Sequence, residues 1–138
     1  MQTSILRKFP KADISVSLVW IQMPGFNDNR RSATKIARLL DDPRVAQFYD
    51  PVGTHLAGNA FAKGIVQGGR GPAWDIYFFY KPGAVWEDGP PKPDAYMHQL
   101  GGIGAADPKF LRTGKDLING LEDTLREFLG ATVAQSTP

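Results

Sequence analysis

The stretch from Trp74 to Tyr80, Trp-Asp-Ile-Tyr-Phe-Phe-Tyr, constrains the fold more than any other. Trp74, Ile76, Phe78 and Tyr80 would point one way along a strand and Asp75, Tyr77 and Phe79 the other. Both sets are large and mostly apolar, so both faces need shelter and the segment is expected as a central strand. Asp13 to Met23 is its counterpart. Ile14, Val16, Leu18 and Trp20 alternate with Ser15 and Ser17, and Val19, Ile21 and Met23 then fill the second face. Two such strands, side by side beneath covering helices, are the core this sequence predicts.

The segments around them supply the cover. Asn27, Asp28 and Asn29 are all suitable N-caps. Ala33, Ile36, Ala37 and Leu40 then recur at helical spacing, with Arg30, Arg31, Lys35 and Arg38 on the remaining surface. Asp41-Asp42-Pro43 should close that helix, because a residue before proline avoids helical geometry. Val45 to Tyr49 reads as a second strand. His55 to Ile65 reads as a second helix, weakened at Gly58 and Gly64 by about 1 kcal/mol each relative to Ala. After Trp74–Tyr80, the turn Lys81-Pro82-Gly83 should lead into an antiparallel partner at Ala84-Val85-Trp86. Glu87 to Pro93 is expected as loop, and most of Met97 to Leu111 as irregular chain. Thr113-x-x-Asp116 approximates a capping box. Leu117, Leu121, Leu125 and Phe128 form the stripe of a last helix, with Gly130 as its C-cap. Residues 1–130 are thus expected as one domain and 131–138 as a loose tail.

This β-α-β-α-β-β-α order resembles the thioredoxin-like fold, a three-layer sandwich with a central mixed sheet and helices on both faces. Pro72 stands just ahead of the third strand, where that family keeps a cis-proline. The first helix starts soon after the first strand, where the family keeps its active-site loop. Here the loop is Pro24-Gly25-Phe26-Asn27-Asp28-Asn29, in place of a Cys-x-x-Cys pair. The 138-residue chain contains no cysteine, so no thiolate can attack a disulfide. The resemblance therefore implies a member without the family's redox activity, and a flavodoxin-like or other small α/β sandwich is the competing architecture.

Composition narrows the function classes. Sixteen Lys and Arg against fourteen Asp and Glu leave a net charge of +2, without the concentrated basic face of a nucleic-acid binder. No apolar run approaches the roughly 20 residues that cross a bilayer, and Met1 to Pro10 lacks the apolar core of a secretory signal. A cysteine-free chain suits the cytoplasm. Neither a nucleic acid nor a membrane is expected as partner.

The resemblance implies a ligand surface at one end of the sheet, formed by Asn27, Asp28, Arg30, Pro72, Trp74 and Asp75. The free N–H groups at the start of the first helix favour an anion there. In the competing reading Asn27 or Asp28 is only a cap and the arginines are solvated. Asp75, on a strand that otherwise reads as core, is expected to be partly buried, either as a perturbed acid or as an acceptor for a neighbouring turn. His55 and His98 are the only histidines. Asp75 and His98 are the candidate catalytic pair of an alternative enzyme reading, with a metal at most assisting. No metal-ligand spacing and no nucleophile motif supports that reading, and no cofactor is expected. The leading expectation is a non-redox binding or interaction domain. Homodimerisation through an edge strand or through exposed aromatics is a third.

Overall fold

The computed structural model describes residues 5–22, 29–51, 53, 55–63, 65, 72–101 and 106–135, with side chains through residue 130. It is a mixed α/β structure. Among the described residues it has three α-helices and two sheets of two strands each.

The strands β1 (Val16–Ile21) and β2 (Val45–Asp50) run parallel, in a register that pairs Val16 with Val45 and Ile21 with Asp50. Parallel neighbours need a crossover, and α1 (Arg30–Ala37) lies within it. Asn29 is the cap among the three expected candidates: its Oδ1 accepts the Ser32 N–H at 3.0 Å. Asn27 and Asp28 lie outside the described residues. α1 is docked through Gln47, whose amide donates to the carbonyls of Ala37 and Leu40 at 3.0 and 3.3 Å and whose Oε1 accepts the Trp20 indole N–H. The helix ends at Ala37, short of Asp41-Asp42-Pro43, and its last turn tightens into bonds from Leu39 and Leu40 to Ile36 and Ala37. Asp42 instead serves Arg44 and the turn into β2.

The second helix, α2 (Leu56–Ala62), is shorter than the His55 to Ile65 periodicity predicts. It belongs to both halves of the structure. Gly58 lies against Ile21 and Asp50 of the first sheet, and Phe61 stacks on Phe78 of the second at 5.2 Å between ring centres. In that second sheet β3 (Ile76–Phe79) and β4 (Ala95–His98) are antiparallel, with Ile76 opposite His98.

The pairing corrects two expectations. Trp74–Tyr80 was expected to lie beside Ile14–Met23, yet the hydrogen bonds join β1 to β2 and β3 to β4, and among the described residues no ladder joins β1 to β3. Ala84-Val85-Trp86 was expected to return against the third strand, and the partner is β4 instead. The cause is local. Trp86 packs on Phe61 and Tyr80, so this segment is spent on side-chain contact, and the proline-rich stretch then carries the chain to Asp94. Asp94 closes the loop from both ends: its N–H donates to Phe79 O, and its Oδ2 accepts the Lys81 N–H.

α3 (Gly114–Gln135) covers the Tyr77, Phe79 and Met97 side of the second sheet. Leu117 and Leu121 pack with Met97 and Ile5, and Phe9, Tyr77, Phe79, Ile118 and Leu125 surround them. Gly130 does not cap the helix, and residues 131–135, expected in the tail, are helical. A single interior glycine costs only about 1 kcal/mol, and Ala-Thr-Val-Ala-Gln contains nothing that breaks a helix. The short 3-10 turn Leu6–Lys8 brings Ile5 and Leu6 into the core. Arg44 ties this segment down, donating to the carbonyls of Leu6 and Phe9 while its guanidinium pairs with Asp42 at 2.8 Å.

Candidate functional site

β1 and β2 finish at the same end of their sheet, the end at which α2 begins. Open α/β sheets commonly bind ligands beyond the carboxyl ends of parallel strands. Here that end is closed by a polar knot. Asp50 is only 4% exposed, and its Oδ2 accepts the Gly58 N–H at 2.8 Å. His55, buried and with φ at +40°, donates from Nε2 to the Gln22 carbonyl at 2.7 Å. Gln22 N–H donates to Asp50 O, and the Tyr49 hydroxyl donates to Gln22 Oε1 at 2.8 Å.

The knot holds the segment leading into β3. Gly58 O accepts the Ala73 N–H at 2.8 Å. A Cβ on Gly58 would stand 2.5 Å from Pro72 Cβ, which no side chain tolerates, so this approach of α2 to Pro72 requires glycine. A chain of contacts thus runs from the Asp50 carboxylate through Gly58 to Ala73. The Gly71–Pro72 peptide bond begins outside the described residues.

Beyond Ala73 the chain emerges. Trp74 is 43% exposed and stacks on no other ring among the described residues. Asp75 is also exposed, contrary to the expected partial burial. The reason is that β3 begins only at Ile76, and the backbone turns at Asp75 into the left-handed region, φ +50°. Asp75 O still accepts the Gln99 N–H at 3.0 Å, so the turn is pinned to β4. Burial raises the Tyr77 hydroxyl above its usual pKa and the nearby Asp75 charge raises it further; a bond from Gln99 Nε2 opposes both.

His98 occupies a different setting from the one the enzyme reading requires. Its exposure is 0%. Nδ1 accepts the Leu100 N–H at 3.2 Å, so Nε2 carries the hydrogen that it donates to Asp107 O at 2.9 Å. Tyr96 stacks on the ring, and Phe110 lies against Tyr96. Both nitrogens therefore satisfy main-chain groups. Among the described residues no three His, Cys, Asp or Glu converge to hold a metal ion.

Arg30 is the exposed first residue of α1. It joins Arg31, Ser32, Thr34, Lys35 and Arg38 along a shallow depression open to solvent. Among the described residues no hydrogen bond or ion pair links Arg30 to Pro72, Trp74 or Asp75. Of the expected surface, then, Pro72, Trp74 and Asp75 form one continuous feature, Arg30 stands on another element, and Asn27 and Asp28 lie outside the description. Sequence reading weighed Asp50 only as an imaginable metal or hydrolytic partner of the histidines, alongside Asp75 and Asp94, and passed over Gln22 and the reason for Gly58. The available signal was an acid ending an apolar strand eight residues before a helical glycine.

Comparison with protein-family models, with curated proteins and with solved structures returns no match. No helix among the described residues is long and apolar enough to cross a membrane.

Proposed function

We propose that this chain is a non-redox binding domain of thioredoxin-like architecture, with the Pro72–Asp75 segment at the centre of its binding surface. Arg30, the first residue of α1, and Asn27 and Asp28, which lie outside the described residues, are assigned to the same surface in this proposal. The β-α-β-α-β-β-α order, the parallel first pair and the antiparallel second pair support the architecture. So does α2, which packs on one face of β3 while α3 covers the other. Against it stands the sheet pairing: among the described residues no ladder joins β1 to β3.

One observation carries the binding reading. Trp74 is held on both sides by main-chain bonds, at Ala73 and at Asp75, and is 43% exposed with no other ring against it among the described residues. Folding normally buries a tryptophan, and one exposed on an anchored segment has the profile of an interface anchor. Nitrogen-15-labelled protein titrated with a mixed library of peptides and small fragments tests this. Shifts should centre on the Trp74 indole and the amides of Ala73 and Asp75, and Trp74→Ala should abolish them. Hits that move only residues around Trp86 or along β2, with Trp74 unmoved, would refute the proposal.

A homodimer is the second reading, favoured by Phe48, which is 54% exposed on the two-stranded first sheet. Two such rings could bury each other. Sedimentation of the wild type and Phe48→Lys at micromolar concentration decides it: a monomeric wild type removes this reading.

A further inference from the structure

We infer that the basic depression on α1 is a second binding site, for a compact small polyanion of the oligophosphate class. It goes beyond the Trp74 surface: it rests on α1 alone, and Arg30 is the one residue assigned to both.

Arg30, Arg31, Lys35 and Arg38 line one depression of about 650 Å³, together with Ser32 and Thr34. Among the described residues no carboxylate is in that lining, and none of the four cationic heads has a hydrogen bond or ion pair. Isolated cations on a surface need no ligand. Four around one hollow repel one another, and their placement works against the helix that carries them. Arg31 and Lys35 are like charges about one turn apart, as are Lys35 and Arg38. Arg30 and Arg31 occupy the first turn, at the positive end of the helix dipole, with no acid there to offset them. Asp42, four residues beyond Arg38, is committed to Arg44. No residue of α1 is buried, so the core does not impose this arrangement. Local choices that cost stability without an intramolecular return are expected at functional sites.

The chemistry of the lining selects the ligand. The Thr34 hydroxyl already donates to Arg30 O at 2.7 Å, and Asn29 Oδ1 takes the Ser32 N–H, so the cations are left to do the holding. Guanidinium forks match phosphate oxygens in pairs, and a lysine adds a point charge. A single phosphate would leave most of the four charges unmatched. A chain of two or three, lying along the rise of about 10 Å from Arg31 to Arg38, answers them together. Among the described residues no aromatic or apolar side chain lines the hollow. A nucleic acid would find no ring on which to stack a base, and an acidic protein segment no apolar anchor. The net charge of +2 also provides no field to follow a long strand.

The test titrates the nitrogen-15-labelled chain with orthophosphate, pyrophosphate and triphosphate at fixed ionic strength, read at the amides of residues 30–38 and at the arginine Nε–H groups. Affinity should rise steeply with the number of phosphates, and the shifts should stay on α1. Arg31→Gln combined with Lys35→Gln should weaken triphosphate binding about tenfold or more. Lys63→Gln, which removes a cation outside the hollow, should leave it unchanged. Arg31 and Lys35 are both exposed, and unshifted β1 and β2 amides report that the double variant is folded. A second readout uses the repulsion itself: triphosphate should raise the thermal midpoint of the wild type and not that of the double variant. A short oligonucleotide and a Glu-rich peptide, matched to triphosphate in charge, complete the set. Either one binding α1 more tightly than triphosphate would overturn the small-anion assignment. Equal affinity for orthophosphate and triphosphate, or shifts spread over lysines away from α1, would mean general charge screening and overturn the site.

Discussion

Gly58 is the residue on which the arrangement turns. As a helical residue it looks like a weakness, and Gly→Ala in a helix interior ordinarily gains about 1 kcal/mol. Its surroundings reverse the sign. Pro72 Cβ would lie 2.5 Å from the new Cβ and Ile21 Cδ1 3.2 Å away, and the nearer atom belongs to a rigid ring. Gly58→Ala should destabilise by about 1–3 kcal/mol in urea unfolding, and a stabilised variant would disprove the close approach. The glycine was legible in the sequence and its purpose was not, because the group that crowds it stands fourteen positions along the chain. The same holds for Asp75 and His98. Their strand neighbourhood could be read, but whether each side chain faces solvent or main-chain groups depends on a turn at residue 75 and on Leu100 and Asp107, which no local pattern announces.

Among the elements, the strongly periodic ones were legible and the short ones were not. β1, α1, β2, α2, β3 and α3 all lie within or across the segments that periodicity marks. β4 was missed: four residues, Ala-Tyr-Met-His, carry too little alternation to stand out, and their strand character comes from pairing with β3. The Leu117–Leu125 stripe of α3 makes a quantitative prediction. Leu121 is 5% exposed and lies in the core, so Leu121→Ala should cost about 2–5 kcal/mol. Leu39 is 76% exposed just beyond α1, and its replacement by Ala should change stability by less than about 0.5 kcal/mol. Similar losses at the two sites, measured by chemical denaturation, would mean that α3 does not pack as described.

At the scale of the molecule, the N-terminal segment, the crossover to β2 and α3 are tied together by a few charges. Arg44 holds the carbonyls of Leu6 and Phe9 and pairs with Asp42; Lys8 and Arg126 both bind Glu122. Bonds from Arg44 hold the Asp42 carboxyl down to about 2, against 3.8 when free, and Lys8 and Arg126 likewise lower Glu122. A carboxyl depressed by folding contributes its stability above its unfolded pKa and loses it as the pH falls through the folded one. Stability should therefore be flat above roughly pH 5 and fall between about pH 4 and pH 2. Arg44→Ala should remove the Asp42 part of that dependence, and a wild type equally stable at pH 2 and pH 6 in thermal melts would contradict the pairing. These long-range ties were not legible, since nothing around Arg44 in the sequence announces carbonyl partners at Leu6 and Phe9.

The proposed surface depends on Trp74 being fixed in place while its ring meets water. Relaxation of the Trp74 indole nitrogen, together with exchange of its proton with solvent, measures both properties in one sample. The structure predicts an indole as rigid as the strand backbone and exchanging rapidly with water. An indole that is protected from exchange, or that tumbles freely on the nanosecond scale, would contradict it.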